Sequence, residues 1–189
     1  MKRIVSFAVV VALAALMAGT ALAQTKAPAK APAPAPAPSQ AVVGAWNEIG
    51  RKLIAMAEDW PEDKYDFKPN PQVRSFAEQL LHAAGANYYY TDVVQGKKPA
   101  QEDLPRSQYK TKADVVAAVK KSFADAAAIT KSKGDAGMNE TVKHPFANAM
   151  TRVGDLAYDL IAHAGEHYGQ LVVYYRVNNM VPPESRPRK

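Results

Sequence analysis

The chain has 189 residues, no cysteine and a formal net charge of +6, with 22% charged residues. That length supports one domain with its own core. The missing cysteines exclude a disulfide framework and a thiolate metal site, so any metal must be held by His, Asp or Glu, which favours zinc, nickel, iron or manganese over a cuprous ion.

Residues 1–23 read as a secretory signal. Lys2 and Arg3 form a positive start, Ile4 to Met17 is apolar except for Ser6, and Ala21-Leu22-Ala23 offers a small-x-small cleavage pattern before Gln24. The apolar stretch is short of the ~20 residues of a spanning helix, although an uncleaved anchor is the alternative. No cysteine follows the signal, so a lipid anchor is excluded, and no later segment is apolar enough to span a membrane. The expected location is periplasmic or secreted, with no stable membrane insertion after cleavage. Cleavage removes 23 residues and two positive charges, leaving 166 residues at +4. Charges of both signs are mixed along the chain, its basic cluster is the tail Arg186, Arg188 and Lys189, and no nucleic-acid motif is present. Nucleic acid is therefore not an expected partner.

Residues 24–40 form an Ala/Pro-rich linker. In Ala31-Pro32-Ala33-Pro34-Ala35-Pro36 every second amide lacks its N–H, which predicts a disordered polyproline spacer of ~3 Å per residue.

Residues 41–189 form the domain. Helical periodicity appears in four stretches. The first runs from about Gln40 to Trp60, with Trp46, Ile49, Leu53, Met56 and Trp60 on one stripe, and Pro61 stops it. The second runs from Ser75 to Val94, and Ser75-Phe76-Ala77-Glu78 fits a capping box. The third runs from Thr111 to Lys131, with Val115, Val116, Val119, Phe123 and Ala126 inward and Gly134 beyond its end. The fourth runs from Thr151 to Asn178. No stretch alternates like a strand, so the expected class is an all-α four-helix bundle. The connections 61–74, 95–110 and 132–150 are long for a simple up-down bundle and suggest a crossover or a lid. Segment 95–110 can extend ~50 Å, enough to let helices two and three run parallel.

Of four histidines, His163 and His167 stand four apart on helix four, so both imidazoles can reach one ion at ~2.1 Å. They lie along the stripe of Leu156, Leu160, Leu171 and Tyr174, where unpaired imidazoles would need partners. A pair of hydrogen-bonded histidines is the plainer alternative. His163-Ala164-Gly165-Glu166-His167 also matches the H-x-x-E-H pattern of one peptidase class. Those enzymes need an acidic ligand well downstream, and Glu184 is the sole carboxylate after His167. Glu166 projects ~60° around the helix from His163. It is a candidate general base, an orienting group, or a solvated glutamate. His82 lies beside the stripe of Phe76, Leu80 and Ala83. It sits ~10 Å from the start of helix two, and His167 ~16 Å from the end of helix four, so antiparallel helices place them near one height. His144 precedes Pro145 in a loop and is expected to be solvent-exposed. Tyr88, Tyr89, Tyr90 and the 61–74 loop are candidate pocket walls, with at least one tyrosine facing away from the core.

Two blocks of sequence resemble the ends of a DinB-like domain. The first holds Met56-Ala57-Glu58, Tyr65-Asp66-Phe67-Lys68-Pro69, Val73-Arg74-Ser75-Phe76-Ala77-Glu78 and Leu81-His82. The second holds Glu166-His167-Tyr168-Gly169-Gln170-Leu171, Tyr175-Arg176 and Val181-Pro182-Pro183. The resemblance spans residues 42–186 and implies an up-down-down-up bundle with a three-histidine metal site at His82, His163 and His167. Relatives include metal-dependent thiol transferases and isomerases, which implies a divalent metal, zinc or nickel first, and a small-molecule substrate. Export departs from the cytosolic members, because reduced small thiols are scarce outside the cytosol. The expected function is a metal-dependent transferase or hydrolase. The alternatives are a non-catalytic metal- or ligand-binding envelope protein, and a structural module whose histidines satisfy one another. A homodimer through exposed helix faces stays open.

Overall fold

The computed structural model describes residues 33–99 and 103–187. The signal segment 1–23 and the first part of the linker lie outside the described residues. The chain divides into two units, Met1–Ala35 and Pro36–Lys189, and the second holds the fold.

Four helices make up that fold: α1 (Pro38–Asp59), α2 (Phe76–Val94), α3 (Lys112–Met138) and α4 (Val153–Val177). Helix α1 begins two residues before Gln40 because Pro38 occupies its first turn, where a missing N–H costs nothing. The Ser75 capping box forms as its spacing predicts: the Ser75 hydroxyl accepts the Glu78 amide at 3.2 Å, and Glu78 accepts the Ser75 amide at 2.6 Å. Thr111 and Asp114 build a second box at the start of α3.

Helix α3 runs past the expected Lys131 to Met138, but it is kinked. Gly134 takes φ 59° and ψ −173°, a region that only glycine enters without strain. The 132–150 connection then departs from a plain loop. Thr141–Lys143 (β1) pairs antiparallel with Met150–Arg152 (β2), with Val142 opposite Thr151. Three residues per strand are too few for alternation to show in the sequence. The pair delays the start of α4 to Val153.

Contacts set the directions of the helices. Trp46 meets Tyr90 and Trp60 meets Phe76, so α1 and α2 run oppositely. Asn87 bonds Ser122 and Tyr90 bonds Thr130, so α2 and α3 run together. The Tyr174 hydroxyl donates to the Arg74 carbonyl, and His82 faces His163, so α2 and α4 run oppositely. Helix α2 packs against both α3 and α4, with 14 of its 19 residues buried.

An aromatic cluster locks one end of the bundle. Trp60 stacks on Phe76 at 4.4 Å, Tyr175 meets Trp60 edge-on at 4.8 Å, and Phe76 touches Tyr174. This cluster fixes the end of α1, the start of α2 and the end of α4 relative to one another. Phe76 opens the helix that carries His82, and Tyr174 lies on the helix that carries His163 and His167. No helix among the described residues is long and apolar enough to cross a membrane.

Candidate metal centre

Three imidazoles converge between α2 and α4. His82 and His167 are buried and His163 is half-buried. The Nε2 atom of His163 lies 3.2 Å from Nε2 of His82 and 3.0 Å from Nε2 of His167. One donor atom from each ring lies within 4.8 Å of the others. The local cause is simple: four-residue spacing on α4 and antiparallel packing on α2 bring three rings to one height.

The outer nitrogens are held as well. Nδ1 of His82 is 2.7 Å from Oδ1 of Asp103, and Nδ1 of His167 is 2.7 Å from Oε1 of Gln79. The Gln79 amide is oriented by its far side, where Nε2 donates to the Tyr174 hydroxyl, which itself donates to the Arg74 carbonyl. That chain leaves Oε1 as the acceptor facing His167. Carboxylate and amide oxygens accept only, so His82 and His167 carry their protons on Nδ1 and turn Nε2 lone pairs inward.

This donor set fits a divalent cation. With the rings neutral, at most one proton, on Nε2 of His163, lies among the three facing nitrogens and is shared between the other two. An ion ~2.1 Å from each nitrogen would take all three. Burial first, then the charges of His163, His82 and Arg74, pull His167 down to about 3, so its ring is neutral, the form that coordinates. Burial pushes the Asp103 carboxyl up, but its bond to His82 and the nearby Arg74 outweigh that and hold it below the usual carboxylate range. Asp103 is thus an anion that steadies the His82 ring.

The other expected site residues divide. Glu166 is exposed and stands outside the cluster. Glu184 pairs with Arg51 at 2.7 Å, which removes it as a ligand. His144 is not solvent-exposed as expected. It is half-buried and lines a cavity of about 230 Å³ together with His163. The reason is the hairpin: the His144 amide donates to the Ala149 carbonyl at 2.8 Å and turns the loop over α4. Of the three tyrosines, Tyr90 is buried against Trp46, and Tyr88 lies beside Lys121 and Tyr109, away from the histidines. Tyr89 alone turns toward the hairpin, stacking on Phe146 at 5.1 Å. The 61–74 segment supplies Lys68 and Arg74 to a groove shared with Asp103 and Arg106.

Sequence reasoning missed Gln79 and Asp103. Gln79 carried a usable signal, since it stands three residues before His82 on one helix face. Asp103 carried none, because its approach depends on the path of the long α2–α3 connection.

A solved DinB-like protein from Bacillus cereus has the same fold, at a TM-score of 0.64 and 14% identity, covering 76% of this chain and 95% of that one. No curated protein matches the chain. The sequence profile of the DinB superfamily matches residues 45–171, two thirds of the chain, and with the helical fold and the histidine cluster in agreement, this protein belongs to the DinB superfamily.

Proposed function

We propose that this protein is an exported metal-dependent enzyme, a transferase or hydrolase acting on a small molecule, with His82, His163 and His167 holding one divalent ion. One observation carries the reading: three Nε2 atoms converge while acceptors hold the outer nitrogens of two rings. Three protein ligands leave coordination positions open, the pattern of catalytic rather than structural sites. When bound, such an ion supplies Lewis acidity toward a substrate oxygen or thiolate. Asp103 and Gln79 keep two rings in the coordinating tautomer, and the buried setting of His82 and His167 limits water from behind. An all-imidazole set suits zinc or nickel first, and iron or manganese after them. Export rests on residues 1–23 and predicts a mature N-terminus at Gln24, which N-terminal sequencing of envelope protein reads directly.

The test is elemental analysis of protein purified without a histidine tag, beside His167→Ala. The expected result is about one equivalent of one metal, lost in the variant. No metal in either protein, even after dialysis against zinc, nickel and manganese, overturns the reading. A positive result opens a screen of transferase and hydrolase substrates, which separates an enzyme from a non-catalytic metal binder.

A further inference from the structure

A cavity of about 230 Å³ lies beside His163. Its walls are Ala86 from α2, Leu156 and Leu160 from α4, and Phe146 from the β1–β2 loop. Its polar lining is His163, with Asp159 one turn before it on α4 and His144 from the hairpin. Pockets for small ligands have this character, an apolar lining with a few convergent polar groups. A cavity of ~150 Å³ already accepts benzene, so this one has room for a ring-sized body.

The His144 side has a defined polarity. The Phe146 amide donates to Nδ1 of His144 at 3.1 Å, so a neutral ring carries its proton on Nε2. That nitrogen is 3.8 Å from Oδ2 of Asp159, too long for a direct hydrogen bond. A donor thus stands beside an acceptor, with the two unjoined. Phe146 is held by its stacking on Tyr89, so the loop that carries this pair is fastened to α2.

We propose that this cavity is the substrate pocket of the metal centre, and that it takes a small molecule with a ring-sized apolar body. One end of that molecule carries an oxygen or sulfur donor for the ion. The other carries a hydroxyl that accepts from His144 and donates to Asp159. The inference rests on the metal reading above.

The probes are acetohydroxamate, benzohydroxamate and 4-hydroxybenzohydroxamate, titrated into cobalt(II)-loaded full chain and followed by the cobalt absorption spectrum. Benzohydroxamate is expected to bind at least about tenfold tighter than acetohydroxamate, because its ring leaves water. The 4-hydroxyl is expected to add about fivefold more, because burying it is favourable only when it bridges both His144 and Asp159. That last gain should vanish in His144→Ala and in Asp159→Ala, the latter an exposed helix position whose loss leaves the fold intact. Equal affinity for the first two probes overturns the pocket, and a hydroxyl gain that survives both variants overturns the assignment of its polar pair. Failure to bind cobalt overturns the metal reading instead. In that case benzyl alcohol is added to the same chain, and methyl shifts at Ala86, Leu156 and Leu160 support the pocket while their absence overturns it.

Discussion

Between α1 and α3 the bundle closes on apolar surface. Gly50 lets the Phe123 ring lie so near that a Cβ there would stand 2.7 Å from it, and Leu53 and Val119 are buried alongside. Between α2 and α4 the layer instead contains three imidazoles, Gln79 and the Tyr174 hydroxyl. A buried polar group without a partner costs ~1–3 kcal/mol, so a chain optimised for stability alone would fill this layer with leucine. The difference sets an apolar helix pair beside a polar one, and mutations should separate what each contributes.

The largest effect should come from the apolar side. Phe123→Ala is expected to cost ~3–5 kcal/mol of stability and to leave the metal stoichiometry of the surviving folded protein unchanged. Chemical denaturation beside elemental analysis checks both. Loss of metal in that variant would show that the two halves are coupled. Next comes ligand removal. Metal at ~100 times its dissociation constant should stabilise the parent protein by ~2.7 kcal/mol and do nothing for His163→Ala. Thermal melts with and without added zinc read this difference, and equal gains in both proteins would place the metal elsewhere. A smaller effect is expected at Asp103→Ala, about a 10–100-fold loss of metal affinity, with the parent's apo stability nearly kept.

Those two sides also differ in how legible they were. The H-x-x-x-H pair on α4 marks two candidate ligands by its spacing, with a hydrogen-bonded pair as the plainer alternative, and the height of His82 is compatible with them once antiparallel packing is assumed. For Gln79 the three-residue offset from His82 is the usable signal, because α2 is buried on nearly every side and polarity along it marks no outward face. Asp103 meets His82 across 21 residues of chain, a closure that no local pattern encodes. His144 was misread for a related reason. The residue before a proline is expected to be extended and exposed, but a three-residue strand pair folds it back over α4. Helices announce themselves over many turns; hairpins this small and contacts between loops do not.

The smallest prediction concerns a contact that belongs to neither pair, and it serves as the control. Arg186 places two nitrogens 2.7 and 2.6 Å from the Asp59 carboxylate, and the Tyr175 hydroxyl lies 3.1 Å from the same group. The Arg186 bond first, and the Tyr175 bond with it, outweigh burial and hold the Asp59 carboxyl below its ordinary range. An unfolded aspartate titrates near ~3.9. The stabilisation is therefore fully present above that value and is lost as pH falls through the lower folded value. Both side chains are partly exposed, so the contribution is at most ~1 kcal/mol. Asp59→Asn should flatten the acid limb of the stability curve by about that amount. Because the contact lies at the aromatic end, away from the histidines, the loss should be the same with and without zinc. A metal-dependent loss would mean that the end of α4 and the histidine layer move as one unit, and the division between the two helix pairs would have to be redrawn around α4.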